Sequence, residues 1–399
     1  MTTSFKFNRW ELAGSLGDLG TLLPMAVAMI LANGLQAPGV FLSIGAFYVL
    51  SGLYFRVTVP VQPMKVIGAY AIATGLGAEQ IGASALLMGV ALLLLGLSGA
   101  MGFIGRHTPR EVVRGVQLST GVLLISKGAH FIAGTSFFQQ LKGLPEPFLA
   151  VQHLGPLPVT ILLGVLAAVL GLLLLDSRRW PAGLVLVLGG MAVGLVLGGY
   201  RQLHGATPGF FPPAVLPWGW PGWQVLGMAL LMLVLPQLPM TLGNAVIANA
   251  DLSREYFGDA SRRVTYRALC ISMGLANLAA FVLGGMPLCH GAGGLAAHYR
   301  FGARTAGSNL IIGGLFLLLA LLWGERAVSL VSLLPMSVLG VLLIFAGGQL
   351  ALTVQDLKER RRLFVALMML GLTLAFNLAV AFVVGMGLAW LLRRLDLDP

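Results

Sequence analysis

Residues 57–75 read VTVPVQPMKVIGAYAIATG. The stretch lies among long apolar runs, yet Pro60, Gln62, Pro63 and Lys65 fall within six positions. Proline fixes φ and has no N–H to give to a helix or a ladder. VPVQP therefore predicts extended chain, with a helix starting near Met64. If that start lies inside an apolar medium, its first N–H groups have no intrahelical partner, and the helix dipole puts partial positive charge on them. Lys65 adds a full charge at the same place. This is the pattern of an anion site made from backbone.

The rest of the chain supplies the apolar medium. Of 399 residues, 57% are hydrophobic and only 10% charged, against about 25% charged in soluble domains. Apolar runs near 20 residues recur along the whole length, the signature of membrane-spanning helices. The expectation is an all-α integral membrane protein in which the lipid bilayer is the main partner. The N-terminus, MTTSFKFNRWE, does not read as a signal peptide, because the first apolar run carries Asp18 and several glycines. Cys270 and Cys289 suggest no disulfide framework. A net charge of +11 is better read as basic loops on the cytoplasmic side than as a nucleic-acid surface.

About fourteen segments are expected, near 12–33, 38–55, 61–75, 82–104, 112–133, 158–176, 181–199, 222–248, 265–284, 288–298, 305–323, 328–353, 363–376 and 378–393. With both termini inside, Lys142, Arg201 and Arg326 fall outside, and Lys65 and Lys127 fall within segments. All the other Lys and Arg residues, including Arg106, Arg178 and Arg179, fall on the inside. The positive-inside rule favours that orientation, here in a bacterial inner (plasma) membrane. The aromatic, proline-rich loop 208–223 reads as an outer interfacial belt.

Seven segments per half make any repeat inverted in topology. Leu23-Pro24-Met25 and Ala32-Asn33 of segment 1 match Leu238-Pro239-Met240 and Ala248-Asn249 of segment 8. Segment 3 has Pro63 near its start, and segment 10 has Pro287. A longer charged loop, about 250–263, accounts for the wider spacing in the second half. Short, Gly/Pro-interrupted segments at matching positions of two halves point to a transporter's binding site. The helix after Pro287 would then offer a second N-terminus facing the first. Gly291, Ala292, Gly293 and Gly294 would let a ligand approach its backbone closely. A compact oxyanion suits such a ring of N–H donors.

Four stretches resemble the molybdate transporter family related to the sulfate permeases: FNRWELAGSLGDLGTLLP (7–24), PVQPMK (60–65), QLPMTLGNAVIANADLS (237–253) and MPLCHGAGGLAAHYRFGARTAGSNL (286–310). They lie in both halves. The resemblance implies the sulfate permease / uracil transporter-like fold, with a core domain (1–104 and 222–325) and a gate domain (105–221 and 326–399). It places substrate between the half-helices of segments 3 and 10, and implies secondary active uptake of molybdate, with sulfate as the alternative. An anion channel would also use half-helices. Relatives of the fold are often homodimers. No C-terminal regulatory domain of the sulfate permease kind is expected.

The candidate substrate-binding residues are Thr21, Gln62, Pro63, Met64, Lys65, Gln237, Thr241, Asn244, His290, Gly291, Ala292, Gly293 and Gly294. Lys65 would pair with the anion or with Asp18. Asp18, an acid inside a membrane segment, reads either as a proton-coupling residue or as a structural pair. His290 could donate to an oxyanion or fix the broken helix through an internal bond. Cys289 reads as an apolar filler and a chemical handle. His298, Tyr299, Arg300 and Arg304 suggest the cytoplasmic mouth, and Lys127 and His130 face either the gate or the outer surface. No H-E-x-x-H, G-x-S-x-G or Walker A string occurs, and HGAGG (290–294) has no nucleophile elbow beside it. Neither enzyme activity nor a cofactor or metal is expected.

Overall fold

The computed structural model describes residues 5–99, 109–175, 177, 180–203 and 207–395. Arg106, Arg178 and Arg179 lie outside the described residues. Helices dominate. In chain order they are α1 (Arg9–Ser15), α2 (Leu19–Asn33), α3 (Ala37–Phe55), α4 (Lys65–Thr74), α5 (Ala78–Ser98), α6 (Arg110–Ala133), α7 (Phe137–Lys142), α8 (Val159–Leu174) and α9 (Ala182–Val196). The second half holds α10 (Trp223–Ser261), α11 (Tyr266–Leu283), α12 (Ala292–Arg300), α13 (Gly307–Trp323), α14 (Ala327–Val331), α15 (Met336–Leu352), α16 (Arg360–Ala375) and α17 (Leu378–Leu395). Among the described residues there are four two-residue strands: β1 (Gln62–Pro63), β2 (His153–Leu154), β3 (Leu157–Pro158) and β4 (Leu288–Cys289). Among the described residues, eight helices are long and apolar enough to cross a membrane, or nine if the bent pair α1–α2 is one span.

Two expected boundaries change. The charged loop placed near 250–263 is helical through Ser261, as part of α10. Within α10, Leu230–Val234 and Thr241–Ala248 are π-helical, on either side of Pro236 and Pro239. A proline cannot donate to the preceding turn, and widened turns absorb the missing bond. The segment expected at 328–353 breaks before Pro335 into α14 and α15. Glu146 caps the new start, its carboxylate accepting from the N–H groups of Met336 (2.8 Å) and Ser337 (2.9 Å).

At the centre, two extended stretches cross. β1 pairs antiparallel with β4, Gln62 opposite Cys289 and Pro63 opposite Leu288. Both are buried, so their backbone groups need partners other than water. Asparagine side chains provide them by acting as short strands. Asn309 accepts from Val59 N–H (3.1 Å) and donates to Val59 C=O (2.7 Å). Asn277 does the same for Leu288, at 3.0 and 2.8 Å. Tyr48 donates to Val61 C=O (3.2 Å), and Met64 N–H donates to Pro287 C=O (2.9 Å). The prolines therefore interrupt helix exactly where side chains stand ready to complete the backbone's bonds.

Around this crossing, α3 packs on α13, α5 on α11, and α6 on α15. The α6–α15 contact is backbone to backbone. A Cβ on Gly121 would sit 2.5 Å from Gly347 O, and one on Gly128 would sit 2.4 Å from Gly340 O.

Asn309→Ala would strand both polar groups of Val59 in a dry interior, at about 1–3 kcal/mol each. The purified variant is expected to melt several degrees below wild type, and Asn277→Ala likewise. Unchanged melting in both would show that these amides do not hold the crossing together.

Candidate functional site

α4 starts at Lys65 with Met64 as N-cap, as the prolines predict. α12 starts at Ala292 with Gly291 as N-cap. The two starts face each other, with Lys65 Nζ 3.9 Å from the position a Cβ on Gly293 would take. Two cavities meet at Thr21 and Lys65. The larger, about 260 Å³, is also lined by Asp18, Gln62 and Gly293 and extends past Ala297 to Arg300 and Ser177. The smaller, about 110 Å³, is also lined by Asn244, Gln117, Gln349 and Thr353.

The free donors differ from the sequence expectation. Gln237 does not face an open site: its Oε1 accepts from Val66 N–H (2.9 Å) and Ile67 N–H (3.2 Å), and its Nε2 donates to Thr241 Oγ1 (2.8 Å). A side-chain cap therefore takes two of the α4 N–H groups reserved above for an anion, and Gln237 and Thr241 act as its cap. Met64 and Pro63 are buried in the strand crossing. At α12 the Ala292 and Gly293 N–H groups have no acceptor among the described residues. Gly293 is exposed to the larger cavity.

His290 is also a brace. It is fully buried. Its Nδ1–H donates to Pro60 C=O (2.8 Å), which leaves Nε2 to accept from the Ser272 hydroxyl (3.0 Å). Cys289 is no exposed handle: it is buried, with Sγ 3.8 Å from Pro63 O. Lys127 and His130 line neither cavity. Lys127 stands over the Phe131 ring and His130 bonds Thr135. Arg300 lines the larger cavity, whereas Arg304 stacks on Tyr299.

Asp18 is 4% exposed. Gln62 Nε2 lies 2.8 Å from each of its oxygens, and the Thr21 hydroxyl and the Lys65 charge also act on it. Gln62 Oε1 is buried and has no partner among the described residues. Gly291 and Gly294 make room for this pair. A Cβ on Gly291 would fall 1.9 Å from Gln62 Oε1, and one on Gly294 would fall 2.6 Å from Asp18 Oδ2 and 2.8 Å from Pro60 Cβ.

Sequence reasoning thus brought Asp18, Thr21, Gln62, Lys65, Asn244 and Gly293 to one place. It missed Asn277 and Asn309, and it missed Gln117, Gln349 and Thr353. The available signal was an amide in the middle of an apolar helix, which has the same default reading as an intramembrane acid.

A cavity between two opposed helix starts, one of them bearing a lysine, is the geometry of a membrane transporter for small anions. The fold is found in the transmembrane domain of a cyanobacterial bicarbonate transporter, BicA (TM-score 0.65, 16% identity, covering 94% of this chain and 97% of that one). It is found too in the murine Solute Carrier 26 family member A9 anion transporter in the inward-facing state (TM-score 0.67, 16% identity, 98% and 70%). A family model described as a molybdate transporter of the MFS superfamily matches residues 10–124 and 229–350. Molybdate transporter 2 of Arabidopsis thaliana is 32% identical, covering 97% of this chain and 88% of its own length. A probable sulfate transporter of Mycobacterium tuberculosis is 24% identical over 89% of this chain and 63% of its own. The chain belongs to the molybdate transporter family.

The glycines separate packing from binding. Gly294→Ala drives a methyl into Asp18 and Pro60 and is expected to lower the melting temperature sharply. Gly293→Ala meets only Lys65 Nζ, at 3.9 Å, and is expected to melt near wild type. Equal losses in the two variants would contradict this packing.

Proposed function

We propose that the protein is a secondary active transporter that takes up molybdate across the plasma membrane, with the anion held between the α4 and α12 helix starts. The observation that carries this reading is the convergence of Lys65 and Gly293, whose N–H has no acceptor among the described residues, on one cavity. Asn244 adds a neutral donor in the adjoining smaller cavity. A dianion there gains charge-assisted hydrogen bonds at a helix N-terminus. Molybdate is preferred because the family relatives at about 30% identity are molybdate transporters. Sulfate is the second reading, favoured by the distant mycobacterial relative and by its own tetrahedral shape and charge.

We read the topology as fourteen segments in two inverted sevens, with both termini cytoplasmic. The packing supports this: a pseudo-twofold axis through the β1–β4 crossing would exchange the α5–α11 contact with α3–α13 and map α6–α15 onto itself. Segments 1–4 and 8–11 then form the core, and 5–7 and 12–14 the gate. The larger cavity, ending at Arg300 and Ser177, opens to the inside. Transport would be an elevator movement of core against gate, for which the Gly20–Gly183 contact between α2 and α9 offers a smooth track.

Asp18 and Gln62 suit a coupling proton. With Asp18 ionised, Gln62 gives its NH2 to the carboxylate and leaves Oε1 unpaired. With Asp18 protonated, the amide can turn: the carboxyl O–H donates to Oε1, and the NH2 swings toward Gly291 and the anion. One proton would thereby remove a repelling charge and supply a donor.

The test is uptake of labelled molybdate into proteoliposomes. Lys65→Ala is expected to abolish the saturable component while the protein stays folded; wild-type uptake would place the site elsewhere. In the same assay, wild-type uptake should rise as the pH falls, and Asp18→Asn should flatten that dependence. An unchanged pH profile in Asp18→Asn would remove Asp18 from coupling.

A further inference from the structure

Gln117 sits on α6, across the smaller cavity from Lys65. It is 5% exposed, in a helix that packs closely on α15 through Gly121 and Gly128. Its amide orientation is fixed. Arg114 Nη1 lies 2.8 Å from Gln117 Oε1, and a guanidinium can only donate, so the oxygen must face the arginine. Thr353 Oγ1 lies 3.0 Å from the same oxygen. Arg114 is in turn held by an ion pair to Asp356. The amide nitrogen is therefore turned away from this cluster, and it has no acceptor among the described residues. Gln117 lines the cavity that also holds Thr21, Lys65 and Asn244, with Gln349 of α15 beside it.

We propose that Gln117 is a substrate-binding residue contributed by the gate, its NH2 completing from the opposite wall the coordination that α4, α12 and Lys65 begin. The proposal rests on the anion reading of this cavity. The core supplies the positive charge, and the gate supplies a neutral donor whose direction is set by the chain Asp356–Arg114–Gln117. A donor on the gate touches the anion only while core and gate hold the relative position seen here. The anion therefore loses that contact when the core moves, so the two end states of the cycle bind it with different strength. The same donor sits on the wall that would gauge the size of a tetrahedral anion.

Two substitutions distinguish a ligand from a packing role. Gln117→Glu keeps the shape and the oxygen that faces Arg114 and Thr353, and replaces only the cavity-facing NH2 by an acceptor. Gln117→Ala removes the whole group. If Gln117 only braces α6, Gln117→Glu should be mild and Gln117→Ala the worse. If it binds the anion, the order reverses. Calorimetric titration of the purified full chain with molybdate, and with sulfate as competitor, reads this directly. The expected result is about a 10-fold weaker Kd for Gln117→Ala, from loss of one hydrogen bond to a charged ligand. Gln117→Glu should weaken binding about 100-fold or more, and its ligand-free melting temperature should stay at or above wild type. Wild-type affinity in Gln117→Glu would overturn the proposal. Lys65→Ala serves as the control for the underlying reading: wild-type affinity in that variant would mean that the anion does not bind in this cavity, and both readings would fall.

Discussion

The fold depends on how two stretches of non-helical backbone, 57–64 and 285–291, find hydrogen-bond partners without water. Inside a bilayer an unpaired N–H or C=O costs several kcal/mol, and extended chain survives only if protein groups replace water. Here the replacement is nearly complete. The stretches pair with each other through β1 and β4, and Asn309, Asn277, Tyr48 and His290 take backbone groups that the strand pairing leaves. The prolines have no N–H to satisfy, which reduces the number of partners the crossing needs. Because the crossing is satisfied by side chains of α3, α11 and α13, those helices are fixed relative to it, and the two short helices that follow are aimed at one another.

The same arrangement makes the site selective among donors. Of the N–H groups at the start of α4, Gln237 occupies two. Those of Ala292 and Gly293 have no acceptor among the described residues. The half-helices are thus not equivalent: α4 contributes chiefly the Lys65 charge, and α12 contributes backbone. Asp18 beside Lys65 lowers the net positive charge of the cavity, which in the proposed site would let a dianion be attracted without being trapped. Gly291 and Gly294 are needed for the Asp18–Gln62 pair to fit, whereas Gly293 alone keeps the surface open to a ligand.

Much of this was legible in the sequence, for physical reasons specific to each stretch. VPVQP announces extended chain because proline cannot donate, and α4 begins at Lys65 as it requires. The GGMP before Leu288 also announces extended chain, but α12 begins at Ala292, after β4, rather than at Leu288. Asp18 and Lys65 stand out because charge is costly in an apolar run. Partners across space were not legible. Gln237 looks like a ligand in QLPMTLGN, and only the fold shows it lying over the α4 start. His290 in CHGAGG looks like a donor to substrate, yet both its nitrogens are used inside the core. Gln117 lies in VQLSTG and Gln349 in GGQLAL, where a single amide in an apolar helix carries no mark of what it faces. Neither the π turns beside Pro236 and Pro239 nor the helical course of 250–261 was legible: a proline marks a disturbed turn without fixing its form, and the charged stretch has the composition of a loop.

The central claim is that an oxyanion sits between Lys65 and the start of α12. The most direct measurement is an experimental structure of the protein with tungstate, whose anomalous scattering marks its position without reference to the surrounding density. One strong peak is expected within hydrogen-bond reach of the Gly293 N–H and beside Lys65 Nζ. A peak bound elsewhere, with this cavity empty, would contradict it.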